Sequence, residues 1–201
     1  MAIKVANNQS LTAITALPAA VSGGAMTLLA TETASSSATI SFTSGIDSTY
    51  KEYQIHWTDA HPATDSVYLQ FNGSIDTGSN YNVTKTTTFF RAAHDEADST
   101  TVFGYDTGED IAQGTGFQGL NVSIGNDNDH CGVGIITLYD PSNTTFVKHF
   151  TFRGVNPNAG DYIVDTFVAG YFNTTSAIDA IQFKMASGNI DAGTFKLYGV
   201  S

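Results

Sequence analysis

A single cysteine, Cys131, stands among 201 residues, so no disulfide can close within the chain. Stability must come from packing or from partner chains. A lone thiol of this kind reads first as a small buried hydrophobe and only second as a nucleophile. Charge is also scarce, at 13%, and only 8 residues are Lys or Arg against 19 Asp or Glu, for a formal net charge of −11. With no basic patch to displace counterions from phosphates, nucleic acid is not an expected partner. The same balance argues against an anionic membrane surface. No run approaches the roughly 20 apolar residues of a membrane helix. The mildly apolar stretch Leu11–Ala30 is a poor signal-peptide core, because Asn7-Asn8-Gln9-Ser10 precedes it and Pro18, Ser22, Gly23 and Gly24 interrupt it. There is no Gly-x-Ser-x-Gly elbow and no Walker loop.

What the chain does have is alternation. Hydrophobic residues make up 41%, enough for a core, and the remainder is rich in Thr, Ser, Asn and Gly, the composition of a β-surface with many turns. Ile181, Phe183 and Met185 alternate with Gln182 and Lys184, and Phe195 and Leu197 alternate with Lys196 and Tyr198. Such period-two runs mark half-buried antiparallel strands. With Ser187, Gly188, Asn189 and Gly193 between them, they read as a closing β-hairpin. The same pattern runs back along the chain: Ile40 and Phe42; Tyr53, Ile55 and Trp57; Val67, Leu69 and Phe71. Further strands are expected over Thr86–Arg91, Thr101–Tyr105, Leu120–Ile124, Val133–Tyr139, Thr145–Phe152 and Tyr162–Phe172. Roughly ten or eleven strands at regular spacing predict an all-β, antiparallel β-sandwich, jelly-roll-like, over residues 34–201. Residues 1–33 differ. They are Ala-rich with no aromatic residue, and Leu11, Ile14, Leu17 and Val21 recur at three- to four-residue spacing. The spacing admits a short helix, weakened by Thr12, Thr15, Pro18 and Gly23-Gly24, and equally a short N-terminal arm that docks against something.

Candidate chemistry is thin. Asp127-x-Asp129 with Gly132 resembles the start of a calcium loop, but Leu138 stands where a bidentate Glu belongs, so a solvated turn is the expectation. His56, His61, His94, His130 and His149 lack zinc-site spacing. His94-Asp95-Glu96 reads as a solvated connection rather than an acid–base site. Tyr50, Tyr68, Tyr81 and Tyr162 are candidates for stacking on sugar, weighed against a role at the rim of the core. The Asn-x-Ser/Thr triplets at Asn8, Asn72, Asn82, Asn121, Asn143 and Asn173 are attributed to composition. No enzymatic activity, cofactor or metal is expected.

Four segments carry a resemblance: Asp47-Ser-Thr-Tyr-Lys-Glu-Tyr, His61-Pro-Ala-Thr-Asp, Asn80-Tyr-Asn-Val-Thr-Lys-Thr-Thr-Thr-Phe-Phe-Arg and Ser187-Gly-Asn-Ile-Asp-Ala-Gly-Thr-Phe-Lys-Leu-Tyr-Gly. Over residues 32–201 the chain resembles a group of β-rich virion structural proteins of tailed bacteriophages of marine and freshwater bacteria. The resemblance implies a β-sandwich on the exterior of a virion, with no catalytic residue to carry over. Two functional classes remain, and the preferred one is a capsid decoration or cement protein that clamps capsomers, self-associates as a homotrimer and binds the major capsid protein. The arm would reach the shell through Leu11, Ile14, Leu17 and Val21. The alternative is a tail-associated adhesin, held by a tail adaptor, that binds a host-surface glycan; a depolymerising tail enzyme is a third reading. The chain's size and its lack of stalk-like repeats favour decoration, and an acidic surface suits a place away from packaged DNA.

Overall fold

A computed structural model describes residues 25–201; Leu11, Ile14, Leu17 and Val21 lie outside the described residues. These form twelve strands and no helix. In chain order they are β1 (Met26–Ser37), β2 (Ile40–Phe42), β3 (Glu52–Pro62), β4 (Leu69–Ser74), β5 (Lys85–Asp95), β6 (Thr101–Tyr105), β7 (Gln118–Gly119), β8 (Gly132–Tyr139), β9 (Lys148–Pro157), β10 (Tyr162–Phe172), β11 (Ala180–Met185) and β12 (Ile190–Val200). They make an eight-stranded sheet in the order β1-β12-β3-β8-β9-β10-β5-β6 and a four-stranded sheet in the order β2-β11-β4-β7. All strand pairs are antiparallel.

The interleaving of β1-β12-β3-β8 over β2-β11-β4-β7 is that of a jelly roll. Two insertions widen the first sheet. The pair β5–β6 lies between β4 and β7 in the chain, and β9–β10 lies between β8 and β11. Together they add the platform β9-β10-β5-β6 beyond the roll. Four strands cannot cover eight. The segment between β6 and β8 helps to close the inner side of the platform: Thr87 N–H donates to Ile111 O (2.8 Å) and Lys85 N–H to Gly114 O (2.9 Å). Leu120, Val122 and Ile124 of that segment are buried.

Four expectations need correction. The C-terminal alternating runs are both strands, but they are not a hairpin. The first, β11, pairs with β2 and β4; the second, β12, pairs with β1 and β3 in the opposite sheet. Alternation fixes which face of a strand is buried and leaves its partner open. Gly193 is accordingly part of β12 and not of the turn, at a register shift with φ +137° that suits glycine. The stretch Leu120–Ile124 is largely buried without being a strand; bridges of Ile124 to Val67 and to Asn158, and Leu120 N–H donating to Leu69 O (2.8 Å), tie its backbone down. Residues 26–33, grouped with the arm by composition, lie within β1 and pair along β12, from Met26 opposite Val200 to Thr33 opposite Thr194. Thr145–Val147 precede β9, which starts at Lys148.

The core is aromatic. Trp57 stacks on Phe152 (centroids 5.3 Å apart, 8° between planes) and leans on Phe183 and Phe195. Phe71 meets Phe150 edge-on at 5.0 Å, and Phe150 meets Phe172 at 5.1 Å. Room for the Trp57–Phe152 stack comes from Gly134, paired with Trp57 on one side and with Gly154 on the other. A Cβ at Gly134 would come within 2.5 Å of Trp57 Cζ2 and 2.7 Å of Phe152 Cε2. Gly134→Ala is therefore expected to overpack the core and lower stability by about 1–3 kcal/mol, read as an earlier midpoint in urea; an unchanged midpoint would show that the rings have slack.

Candidate functional site

The outer face of the platform has no layer over it among the described residues, and its side chains fall into two halves along β10. In the first half, register places Ile135, Arg153, Phe167, Phe90 and Tyr105 in one row across β8, β9, β10, β5 and β6. Phe167 and Phe90 are stacked at 4.8 Å and 4°, and Phe103 meets Phe90 edge-on at 6.4 Å. Arg153 lies over the Phe167 ring at 5.0 Å while donating to Asp165 at 2.8 and 3.2 Å. Phe103 is 81% exposed, Tyr105 is exposed beside it on β6, and Ile163 on β10 and Val133 and Ile135 on β8 are exposed farther across the same face. This is an aromatic surface that a sheet normally hides. The edge strand β6, Thr-Val-Phe-Gly-Tyr, has neither charge nor proline to deter pairing.

The second half is hydroxyl-bearing. One row runs Thr137, Thr151, Ala169, Thr88 and the next runs His149, Tyr171, Thr86, with Tyr139 beside them, its hydroxyl 3.1 Å from Thr151 Oγ1.

Beneath this half lies an unusual row, Lys148–Phe172–Lys85 across β9, β10 and β5. Both lysines point into the core, Lys85 with no exposed surface and Lys148 with 2%. Lys85 Nζ donates to Asn72 Oδ1 (2.9 Å) and Val83 O (3.2 Å) and lies 5.9 Å from the Phe172 centroid. Lys148 Nζ donates to Phe146 O (2.8 Å) and Thr174 O (3.1 Å). Burial pulls the Lys85 ammonium down to about 8 and lowers that of Lys148. Neither forms a salt bridge with a carboxylate among the described residues. Sequence reasoning missed both, because lysine is counted as a surface residue in any alternation.

The residues singled out in the sequence are scattered. Tyr50 packs edge-on against Tyr53 at 5.7 Å, and Tyr68 and Tyr162 pack against the core. Tyr81 turns a buried hydroxyl inward. None of the four joins another in a ring face. Cys131 is half-buried; burial first, and then Asp59 at 3.9 Å, push its thiol up and away from the reactive thiolate. Asp127 and Asp129 are exposed in a turn closed by His130 N–H on Asp127 O (2.8 Å). No group of three or more His, Cys, Asp or Glu among the described residues is placed to hold a metal. Asp95 accepts from Ser99 N (2.9 Å) and Thr100 N (2.8 Å), which ties down its own loop. His94 sits 3.1 Å from Asp98. His56, expected to be exposed, is half-covered by Tyr198 at 5.0 Å, and burial lowers its pKa. His149 alone of the five histidines joins the platform's hydroxyl half. Asn72 and Asn121 are fully buried, so neither can be a glycosylation acceptor in the folded chain. Comparison of the chain with protein-family models, with curated proteins and with solved structures finds no match.

Proposed function

We propose that this chain is a bacteriophage virion structural protein on the particle exterior, a capsid decoration or cement protein that seats the apolar half of its platform on the shell. One observation carries the reading: the Phe90–Phe167–Phe103 surface, half-buried at Phe90 and Phe167 and open at Phe103, continuous with an unprotected edge strand. Monomeric proteins seldom leave such a patch to water, and an assembled particle covers it. The occupant is the major capsid protein, with neighbouring copies of this chain completing a trimer. A weak contact per copy becomes effective when many copies engage one particle.

Purified protein added to undecorated shells is expected to bind them and raise the shells' resistance to heat. Phe103→Asp should abolish binding and leave the protein's own melting temperature nearly unchanged, since so exposed a side chain contributes within about 0.5 kcal/mol to folding. Retained shell binding by this variant rules out the platform as the anchor. Agglutination of host cells with no affinity for shells favours the adhesin reading. A second deletion separates arm from sheet. Removing residues 1–24 should weaken shell binding with the fold intact, whereas removal of 1–33 also strips seven paired residues from β12 and should lower the melting temperature. Full shell binding by the shorter deletion would rule out a role for Leu11, Ile14, Leu17 and Val21.

A further inference from the structure

We propose that the hydroxyl-bearing half of the platform is a binding site for a neutral saccharide, separate from the apolar half and independent of shell attachment. The two halves share β9, β10 and β5 but differ in chemistry. Around Ala169, an exposed small residue, Thr88, Thr151, His149, Tyr171 and Thr86 enclose a shallow hollow of about 310 Å³. A second hollow, of about 540 Å³, shares His149 and is walled by Tyr139 and Phe146, the latter 68% exposed. Joined at His149, the two have room for a short oligosaccharide lying across the strands.

The lining selects the ligand class. It offers threonine and tyrosine hydroxyls and an imidazole, which both donate and accept, beside aromatic rings that can take the C–H face of a sugar. No Lys or Arg lines either hollow, so an acidic sugar finds no counter-charge there. Asp140, at the edge of the second hollow, is already paired with Lys51 at 3.0 Å, so that edge offers no unpaired charge to select an acidic sugar. A purely apolar ligand would bury these hydroxyls without partners.

The groups are also held in place before any ligand arrives. Thr86, Thr88, Thr151, His149, Ala169 and Tyr171 all stand on paired strands. Tyr139 is fixed by its 3.1 Å bond to Thr151. Tyr171 is packed against His149 at 6.2 Å, and its hydroxyl accepts from Gln113 Nε2 (3.4 Å). Gln113 Nε2 donates in turn to Thr86 (2.8 Å), and its Oε1 accepts from Asn173 (2.7 Å). Side chains ordered in advance lose little entropy on binding.

The test is titration of the purified full chain with a panel of neutral oligosaccharides (glucans, mannans and galactans) and of uronate- or sialate-bearing ones, followed by ligand-observed NMR and calorimetry. At least one neutral sugar is expected to bind, with a Kd between roughly 10 μM and 1 mM. Tyr171→Ala and His149→Ala should each weaken it by roughly tenfold or more. Exposed His149 guards against the case in which the tyrosine variant fails to fold. Phe103→Asp should leave sugar binding unchanged, so loss of shell attachment and loss of sugar binding are read separately. Silence across the neutral panel at millimolar concentration, tighter binding of the acidic sugars, or binding untouched by His149→Ala would each overturn the proposal.

Discussion

Trp57→Ala is expected to lower stability by about 3–5 kcal/mol, the usual cost of truncating a fully buried large aromatic. The side chain is 1% exposed and touches three other rings, one from each of β9, β11 and β12. It therefore joins the two sheets as well as filling the space between them. Part of the cost is polar. Its indole N–H donates to Asn121 Oδ1 (3.1 Å) in the otherwise strandless 120–124 segment. Asn121 Nδ2 in turn donates to Val133 O (3.2 Å) and to Asn156 Oδ1 (3.3 Å), and Asn156 Nδ2 holds Val122 O (2.8 Å). Without Trp57 the amide oxygen of Asn121 loses its donor while buried, which adds about 1–3 kcal/mol on its own. Trp57→Phe separates the two contributions, keeping most of the ring and losing the N–H. Urea unfolding of the three proteins gives the partition. A loss below about 1 kcal/mol for the alanine variant would show that the rings do not act as one packed unit.

The second large effect is one of pH. Lys85 titrates at about 8 in the folded chain against an ordinary value of 10.5. Between those values the unfolded chain holds a proton that the folded chain has given up, so stability rises with pH across this window. Below about pH 8 both states carry the proton and the penalty of burying it is constant. The full relief is on the order of 3 kcal/mol, at 1.36 kcal/mol per pH unit. Tyr53 and Tyr68, whose hydroxyls burial pushes upward, act in the opposite sense at the alkaline end. The measurement is therefore a difference. Lys85→Met should lack the part of the rise that Lys85 contributes while keeping that of Lys148, and the wild type should gain on it by roughly 2–3 kcal/mol between about pH 7.5 and 10.5 in matched chemical denaturation curves. Parallel curves would show that the ammonium is not desolvated. At neutral pH the variant loses two acceptor contacts, but Asn72 Oδ1 keeps Gly73 N–H at 2.9 Å, so the variant should still fold.

The layers of the fold were legible because alternation reports burial directly. Tyr53, Ile55 and Trp57, and Val67, Leu69 and Phe71, are all buried as the pattern requires. Partners were not legible. The turn between Met185 and Ile190 looks like a hairpin turn to any local reading, yet it carries the chain from one sheet to the other, and only long-range pairing decides that. The platform was hard to read for a related reason. Phe89-Phe90 and Ile135-Ile136 put apolar residues on both faces, so alternation there cannot say which face is wet. The hydroxyl half stayed hidden because Thr86, Thr88, His149, Thr151 and Tyr171 come from three separate strands and meet only through register. The tyrosines chosen from sequence lie elsewhere.

The division of the last two strands between opposite sheets has a consequence for biosynthesis. β12 is an interior member of the large sheet, flanked by β1 and β3, and β11 lies between β2 and β4. A growing chain whose β11 and β12 have not yet left the ribosome leaves the earliest strands of the roll, β1 and β2, with no sheet partner, however long they have been available. The two strands β11 and β12 thus decide whether the roll can close. Ribosomal stalling or a late frameshift should yield protease-sensitive product and not a slightly shortened sandwich.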